Sequence, residues 1–181
     1  MFMLLFVGLM MASPTSVAAD SSPETQAVPS LPDSWQSFLP CLKKAATQYG
    51  VPPVLVAAVV EVESAGNPLA IGVNTKALTA PKPKTKEEAI THAVDLWQRG
   101  VNFDVGLGQI NRVNIKKHRI DIAALFDPCV NAHWVSYFLH DRFQKYGQKW
   151  TAVERYNGVN REYPWKVYDA LQRMRRMKEF Q

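Results

Sequence analysis

Apolar residues recur along this chain mostly at helical spacing rather than in the strict alternation of strands. Phe38, Leu42, Ala45, Ala46 and Tyr49 form one stripe, which predicts a helix over 35–49 with Ser34 as its cap and Gly50 as its stop. Pro52 and Pro53 open a second helix that runs to about Ser64, because a first helical turn makes no use of the missing N–H. Residues 54–60 of that helix are apolar all round, so it is expected to be buried. A third helix is predicted over 86–98, with Ala89, Ile90, Ala93, Val94 and Trp97 on one side and Gly100 after it. Three more are predicted over roughly 128–145, 149–157 and 164–178. Between them, 67–86 carries Asn67-Pro68, Gly72, Pro81 and Pro83 and reads as turns or a short irregular hairpin, while 101–111 is too rich in glycine for a long element. No internal repeat is visible. The expected fold is therefore mainly α, with a single domain over 34–178.

Composition narrows the setting. With 181 residues, 47% hydrophobic and 20% charged, the chain can bury a substantial core, which excludes disordered and collagen-like classes for its bulk. Residues 1–11 are apolar and are followed by small residues up to Val17-Ala18-Ala19, which reads as a signal peptide over 1–19 cut ahead of Asp20. Its apolar run of about 11 residues is shorter than the roughly 18 to 20 needed to cross a bilayer. Residues 20–33, with Pro23, Pro29, Pro32 and several serines, read as a flexible leader. An exported chain with two cysteines, Cys41 and Cys129, is expected to join them in one disulfide. The net charge is +5, with a basic cluster at Arg173, Arg175, Arg176 and Lys178. Such a run is ordinarily a solvated helix face; in an exported protein it favours anionic wall polymers or headgroups over nucleic acid.

The candidate chemistry begins at Glu63. It ends the run Val54 to Val62, where aliphatic neighbours and the negative end of the helix dipole both disfavour a charged carboxylate. An acid in such a place keeps its proton near neutral pH and can donate it to a leaving oxygen. Glu61 points about 200° away on an ideal helix, so the two glutamates cannot act on one bond. A second constellation is Gly106-Leu107-Gly108-Gln109-Ile110-Asn111, whose glycines permit close backbone approach and whose Gln109 offers an amide donor and acceptor. No phosphate-binding strand, loop and helix fits around it. A third is Arg155-Tyr156-Asn157-Gly158, in which Tyr156 combines a flat apolar face with a hydroxyl suited to a ring or a carboxyl. His92, His118, His133 and His140 show neither ligand spacing nor a carboxylate cluster, so no metal is expected.

In this order and spacing, Glu63-Ser64, Gly106-Leu107-Gly108-Gln109-Ile110 and Tyr156-Asn157 resemble the catalytic domain of soluble-type lytic transglycosylases, related to goose-type lysozyme. Ala70-Ile71-Gly72-Val73, the stretch from Asn102 to Asn111 and Phe126-Asp127-Pro128-Cys129 resemble more closely the specialised transglycosylases of type IV secretion and conjugation systems. Gly108 stands where the general family has methionine, and Gly158-Val159 where it has Ala-Gly.

The resemblance implies a lysozyme-like domain with an irregular loop or short hairpin beside a cleft, acting on peptidoglycan in the periplasm as a monomer without cofactor. It implies Glu63 as catalytic acid and base, with Ser64, Gly106, Leu107, Gln109, Ile110, Tyr156 and Asn157 in substrate binding and positioning of the acid. The implied reaction cleaves the β-1,4 bond between N-acetylmuramic acid and N-acetylglucosamine and leaves a 1,6-anhydro end, opening the wall locally for a secretion or conjugation machine. Two alternatives stand beside it. Asp104 just ahead of Gly106 would make a hydrolase if it served as a second carboxylate, although an aspartate there more often braces a loop. A wall-binding scaffold without turnover is the other.

Overall fold

The computed structural model describes residues 28–158 and 160–181. The expected signal peptide and residues 20–27 of the expected leader lie outside the described residues. The fold is mainly α, as the apolar spacing predicts. Its helices are α1 (Asp33–Gln36), α2 (Leu39–Gln48), α3 (Pro53–Ser64), α4 (Lys86–Gln98), α5 (Arg112–His118), α6 (Pro128–Tyr146), α7 (Trp150–Glu154) and α8 (Tyr163–Met174). Strands β1 (Ile71–Val73), β2 (Phe103–Val105) and β3 (Ile110–Asn111) form one antiparallel sheet in that order.

α3 is the central rod. Val56, Ala57, Ala58, Val59 and Val60 are completely buried, so helix-period amphipathicity is absent here because no face meets solvent. Each such valine contributes roughly 1.5–3 kcal/mol by leaving water. α8 packs along α3 through Val167, Ala170, Leu171 and Met174, and α2 packs on α6. A disulfide joins Cys41 of α2 to Cys129 of α6 and so ties that second pair covalently.

Several elements differ from the pattern read along the chain. The expected helix over 35–49 is two helices, because a proline ring at Pro40 would strike the carbonyl of Gln36 in a continuous helix and offers no N–H to it. The chain restarts with Pro40 in the first turn of α2, and Ser34 lies within α1 rather than capping it. Of the turns or short irregular hairpin expected over 67–86, the turns form, but Ile71 and Val73 pair with Val105 and Phe103 rather than within the segment. α5 had no apolar stripe to announce it, being seven residues begun by the Asn111 side chain, which accepts from the Val113 N–H at 2.9 Å. α8 stops at Met174, short of the expected 178.

The chain beyond α8 folds back on residues expected to belong to the leader. The Lys178 N–H donates to the Pro29 carbonyl at 2.9 Å, and the Glu179 carboxylate accepts from the Leu31 N–H and the Gln36 amide. Lys43 completes the clasp, reaching the Glu179 carbonyl and lying over the Phe180 ring. Leu31 is buried as a result, so packed structure begins before residue 34.

The disulfide spans a sequence separation of 88 residues. Closing so long a loop restricts the unfolded chain by up to about 4–5 kcal/mol in the chain-entropy picture. Replacing Cys41 and Cys129 together by serine is expected to lower the urea midpoint and to raise the m-value, because the unfolded chain without the bridge exposes more surface, with a loss of several kcal/mol read by equilibrium unfolding.

Candidate active site

Glu63 occupies the last turn of α3, which Ala65 ends in the left-handed conformation. Glu61, on the other side, accepts two hydrogen bonds from Arg173, at 3.1 Å and 2.9 Å, and is thereby a structural ion pair. Glu63 instead faces a cleft of about 460 Å³. Its Oε1 accepts a 2.6 Å bond from the Tyr163 hydroxyl and a 3.3 Å bond from the Asn157 amide. Its Oε2 has neither a protein hydrogen bond nor full burial among the described residues, which leaves that oxygen open to the cleft.

Burial raises the Glu63 pKa from 4.5 to about 7. The bonds from Tyr163 and Asn157 oppose this by favouring the carboxylate, and the negative charge of Asp104 adds to it. The group is thus poised to give up and regain a proton at neutral pH. The Tyr163 phenol itself is pushed far up by burial and by Glu63, so it stays a donor throughout.

The segment 106–110 is held in place from beneath. Asn131 of α6, fully buried, accepts from the Gly108 N–H at 2.9 Å and donates to the carbonyls of Val105 and Leu125. Gly106 has φ +74° and lies so close to Asn131 that a Cβ there would fall 2.1 Å from its amide nitrogen. A Cβ on Gly108 would fall 2.0 Å from Val135 and 2.8 Å from the Tyr156 hydroxyl. Tyr156 and Val135 therefore fill the space that a side chain at 108 would need.

The residues expected to bind substrate divide into two groups. Gln109, Ile110, Tyr156 and Asn157 line the cleft together with Glu63. Ser64, Gly106 and Leu107 do not: Leu107 is buried core, and the Ser64 hydroxyl donates to the Leu107 carbonyl at 2.8 Å, fastening the end of α3 to the loop. Within the first group, Gln109 donates its amide to the Ala70 and Gly106 carbonyls, and Tyr156 donates its hydroxyl to the Gly108 carbonyl at 2.8 Å. The hydroxyl that meets the carboxyl is that of Tyr163, whose ring stacks on Tyr156 with centroids 6.5 Å apart.

Asp104 of β2 also lines the cleft. Its two oxygens accept from Asn74 at 2.6 Å and Asn111 at 2.8 Å, so it braces β1 and β3. Burial raises its pKa, and the two asparagine bonds pull the other way.

Tyr163, Asn131 and Arg142 escaped the sequence reading, and Arg155 was read only as part of the Tyr156 motif. Tyr163 belongs to the apolar stripe of α8, and nothing local says that its hydroxyl meets a carboxyl 100 residues upstream. Asn131 did leave a signal, a polar residue four before Val135 on the buried side of a helix. Arg142 and Arg155 bring positive charge to the cleft wall.

A model of the Transglycosylase SLT domain family matches residues 40–169. The chain is 42% identical over 95 residues to the Type IV secretion system protein virB1 of Brucella abortus and of Brucella suis, which covers 52% of this chain and 40% of those proteins. It is 26% identical over 121 residues to Protein IpgF of Shigella flexneri, covering 65% of this chain and 64% of that protein. The chain thus spans less than two thirds of the length of these relatives. No solved structure matches it significantly.

A carboxyl whose pKa rises on folding binds more protons in the folded than in the unfolded state between pH 4.5 and about 7. Its contribution to stability is therefore lost as pH rises through that window. Glu63→Gln removes the liability, so at pH 8 the variant is expected to exceed the parent in stability by roughly 3 kcal/mol, and near pH 4 the two should converge. Urea unfolding at a series of pH values checks this.

Proposed function

Since the chain belongs to the Transglycosylase SLT domain family, we propose that it cleaves the glycan strands of peptidoglycan as a lytic transglycosylase. The observation that carries the reading is the placement of Glu63 on the cleft, with one oxygen held by Tyr163 and Asn157 and the other open, in a site whose burial raises its pKa.

Protonated Glu63 gives its proton to the glycosidic oxygen that leaves from C1 of the muramoyl residue. The carboxylate left behind keeps the Tyr163 and Asn157 bonds, which stabilise the new charge at the moment it forms. It then removes the proton of the muramoyl C6 hydroxyl, whose oxygen attacks C1 and closes the 1,6-anhydro ring. One carboxyl performs both transfers because the attacking hydroxyl is internal to the substrate. Gln109 and Ile110 form part of the cleft surface on which the strand lies, and Tyr156 holds the shape of the loop beneath. The resemblance to virB1 proteins of type IV secretion supports an assignment to local wall opening for a secretion or conjugation machine.

Hydrolysis is the second reading, and Asp104 on the same cleft supports it. A hydrolase needs a second carboxylate free to stabilise C1 or activate water. Asp104 spends both its oxygens on Asn74 and Asn111, which favours the brace.

Residues 20–181 incubated with sacculi are expected to release anhydro-muropeptides, identified by mass spectrometry. Glu63→Gln should reduce release by about 10²–10⁴-fold with the fold intact. Reducing-end products dependent on Glu63 would replace the lyase reading with a hydrolase, and wall binding with no Glu63-dependent product would leave a scaffold.

Tyr163→Phe removes a bond that favours the carboxylate, so the Glu63 pKa should rise above about 7. The proton then stays on to higher pH. The alkaline limb of the pH–rate profile is expected to move upward while the maximal rate falls, as a kcat/KM series over pH would record.

A further inference from the structure

Away from the cleft, α7 and α8 enclose a second concavity of about 490 Å³, walled by Trp150, Trp165 and Tyr168 with Glu154, Arg161 and Pro164 around them. Trp165 is 71% exposed, so folding gains little from its ring, and Trp150 at 41% and Tyr168 at 40% keep a large part of theirs in solvent. Trp150 and Tyr168 meet edge to face at 5.7 Å, which sets one ring plane against the other as the two walls of a trough. Among the described residues, Glu154 and Arg161 make no ion pair, leaving a carboxylate and a guanidinium available at its edge.

We propose that this trough is a secondary glycan-binding site that holds peptidoglycan strand outside the catalytic cleft. The inference rests on the peptidoglycan reading of the cleft. Flat aromatic faces take the C–H-bearing faces of sugar rings, and Glu154 and Arg161 accept from and donate to hydroxyl and acetamido groups. The volume suits a few sugar rings rather than a protein helix, which would need a longer apolar groove. Position supports the same occupant. Asn157 and Tyr163 hold Glu63, while Arg161, Pro164 and Trp165, the last two immediately following Tyr163, line the trough. One short stretch of chain therefore borders both sites. A polymer bound at either one is at high effective concentration for the other.

The test uses residues 20–181 carrying Glu63→Gln, so that no strand is cut during measurement. The N-acetylglucosamine tetramer and peptide-free glycan strands are titrated while tryptophan indole N–H signals are followed by NMR, with pelleting on whole sacculi alongside. The Trp165 signal is expected to move. Trp165→Ala is expected to weaken pelleting at least about fivefold, and Trp165→Tyr to restore most of it. In the otherwise native chain, Trp165→Ala should leave turnover of a short soluble muropeptide within about twofold of the parent. An unmoved Trp165 signal, or unchanged pelleting of Trp165→Ala, overturns the proposal. So does a trough that takes up a protein partner but no glycan. Absence of any cleavage product from the parent would sink the catalytic reading alone, because the binding arms do not depend on turnover.

Discussion

One contact organises the molecule around its chemistry: the Tyr163 hydroxyl of α8 on the Glu63 carboxyl of α3. α3 has no solvent-facing side along 56–60, so its final turn delivers an acid straight from the core to the cleft. An unaided carboxyl in that position would be strongly biased to its neutral form. The phenol limits that bias without abolishing it, and the group ends near neutrality. The bond joins two helices that pack on each other, so the packing of α3 and α8 and the proton affinity of one side chain are a single arrangement.

The loop facing the acid is specified from behind rather than from the cleft. Asn131 satisfies the backbone of 105–108, Tyr156 fastens the Gly108 carbonyl and Ser64 fastens the Leu107 carbonyl. Buried backbone groups without partners would be costly, and these three side chains supply them at a bend where sheet pairing ends. The absence of a side chain at 108 fits the same scheme, since Val135 and the Tyr156 hydroxyl occupy its place. Much of a motif that reads as substrate-binding is thus framework, and the part of it that reaches the cleft surface is narrower: Gln109, Ile110 and Asn157, on a cleft that Arg142 and Arg155 also line.

The long helices were legible because burial repeats along them. α3, α4 and α6 fall close to the ranges set by apolar spacing and by prolines and glycines at their ends. Short elements were not. β1 and β2 are three residues each, and their pairing spans the whole of α4, so no local window contains the information. The break at Pro40 was visible in principle, but a continuous apolar stripe outweighed it. At the site, Glu63 stood out because an acid closing the run Val54 to Val62, interrupted only by Glu61, conflicts with its surroundings. Tyr163 agreed with its own helix and so gave no sign; its importance is entirely tertiary. The aspartate at 104 was readable as a brace, but its asparagine partners were not.

The bridge between α2 and α6 bears on when such a protein can act. In thiol-reducing surroundings Cys41 and Cys129 stay unjoined, and the helix pair loses its covalent staple. Full rigidity therefore requires an oxidising environment. For the wall-cutting activity proposed above, this coupling would hold the chain below its working stability wherever thiols stay reduced, and let it mature only where disulfides form.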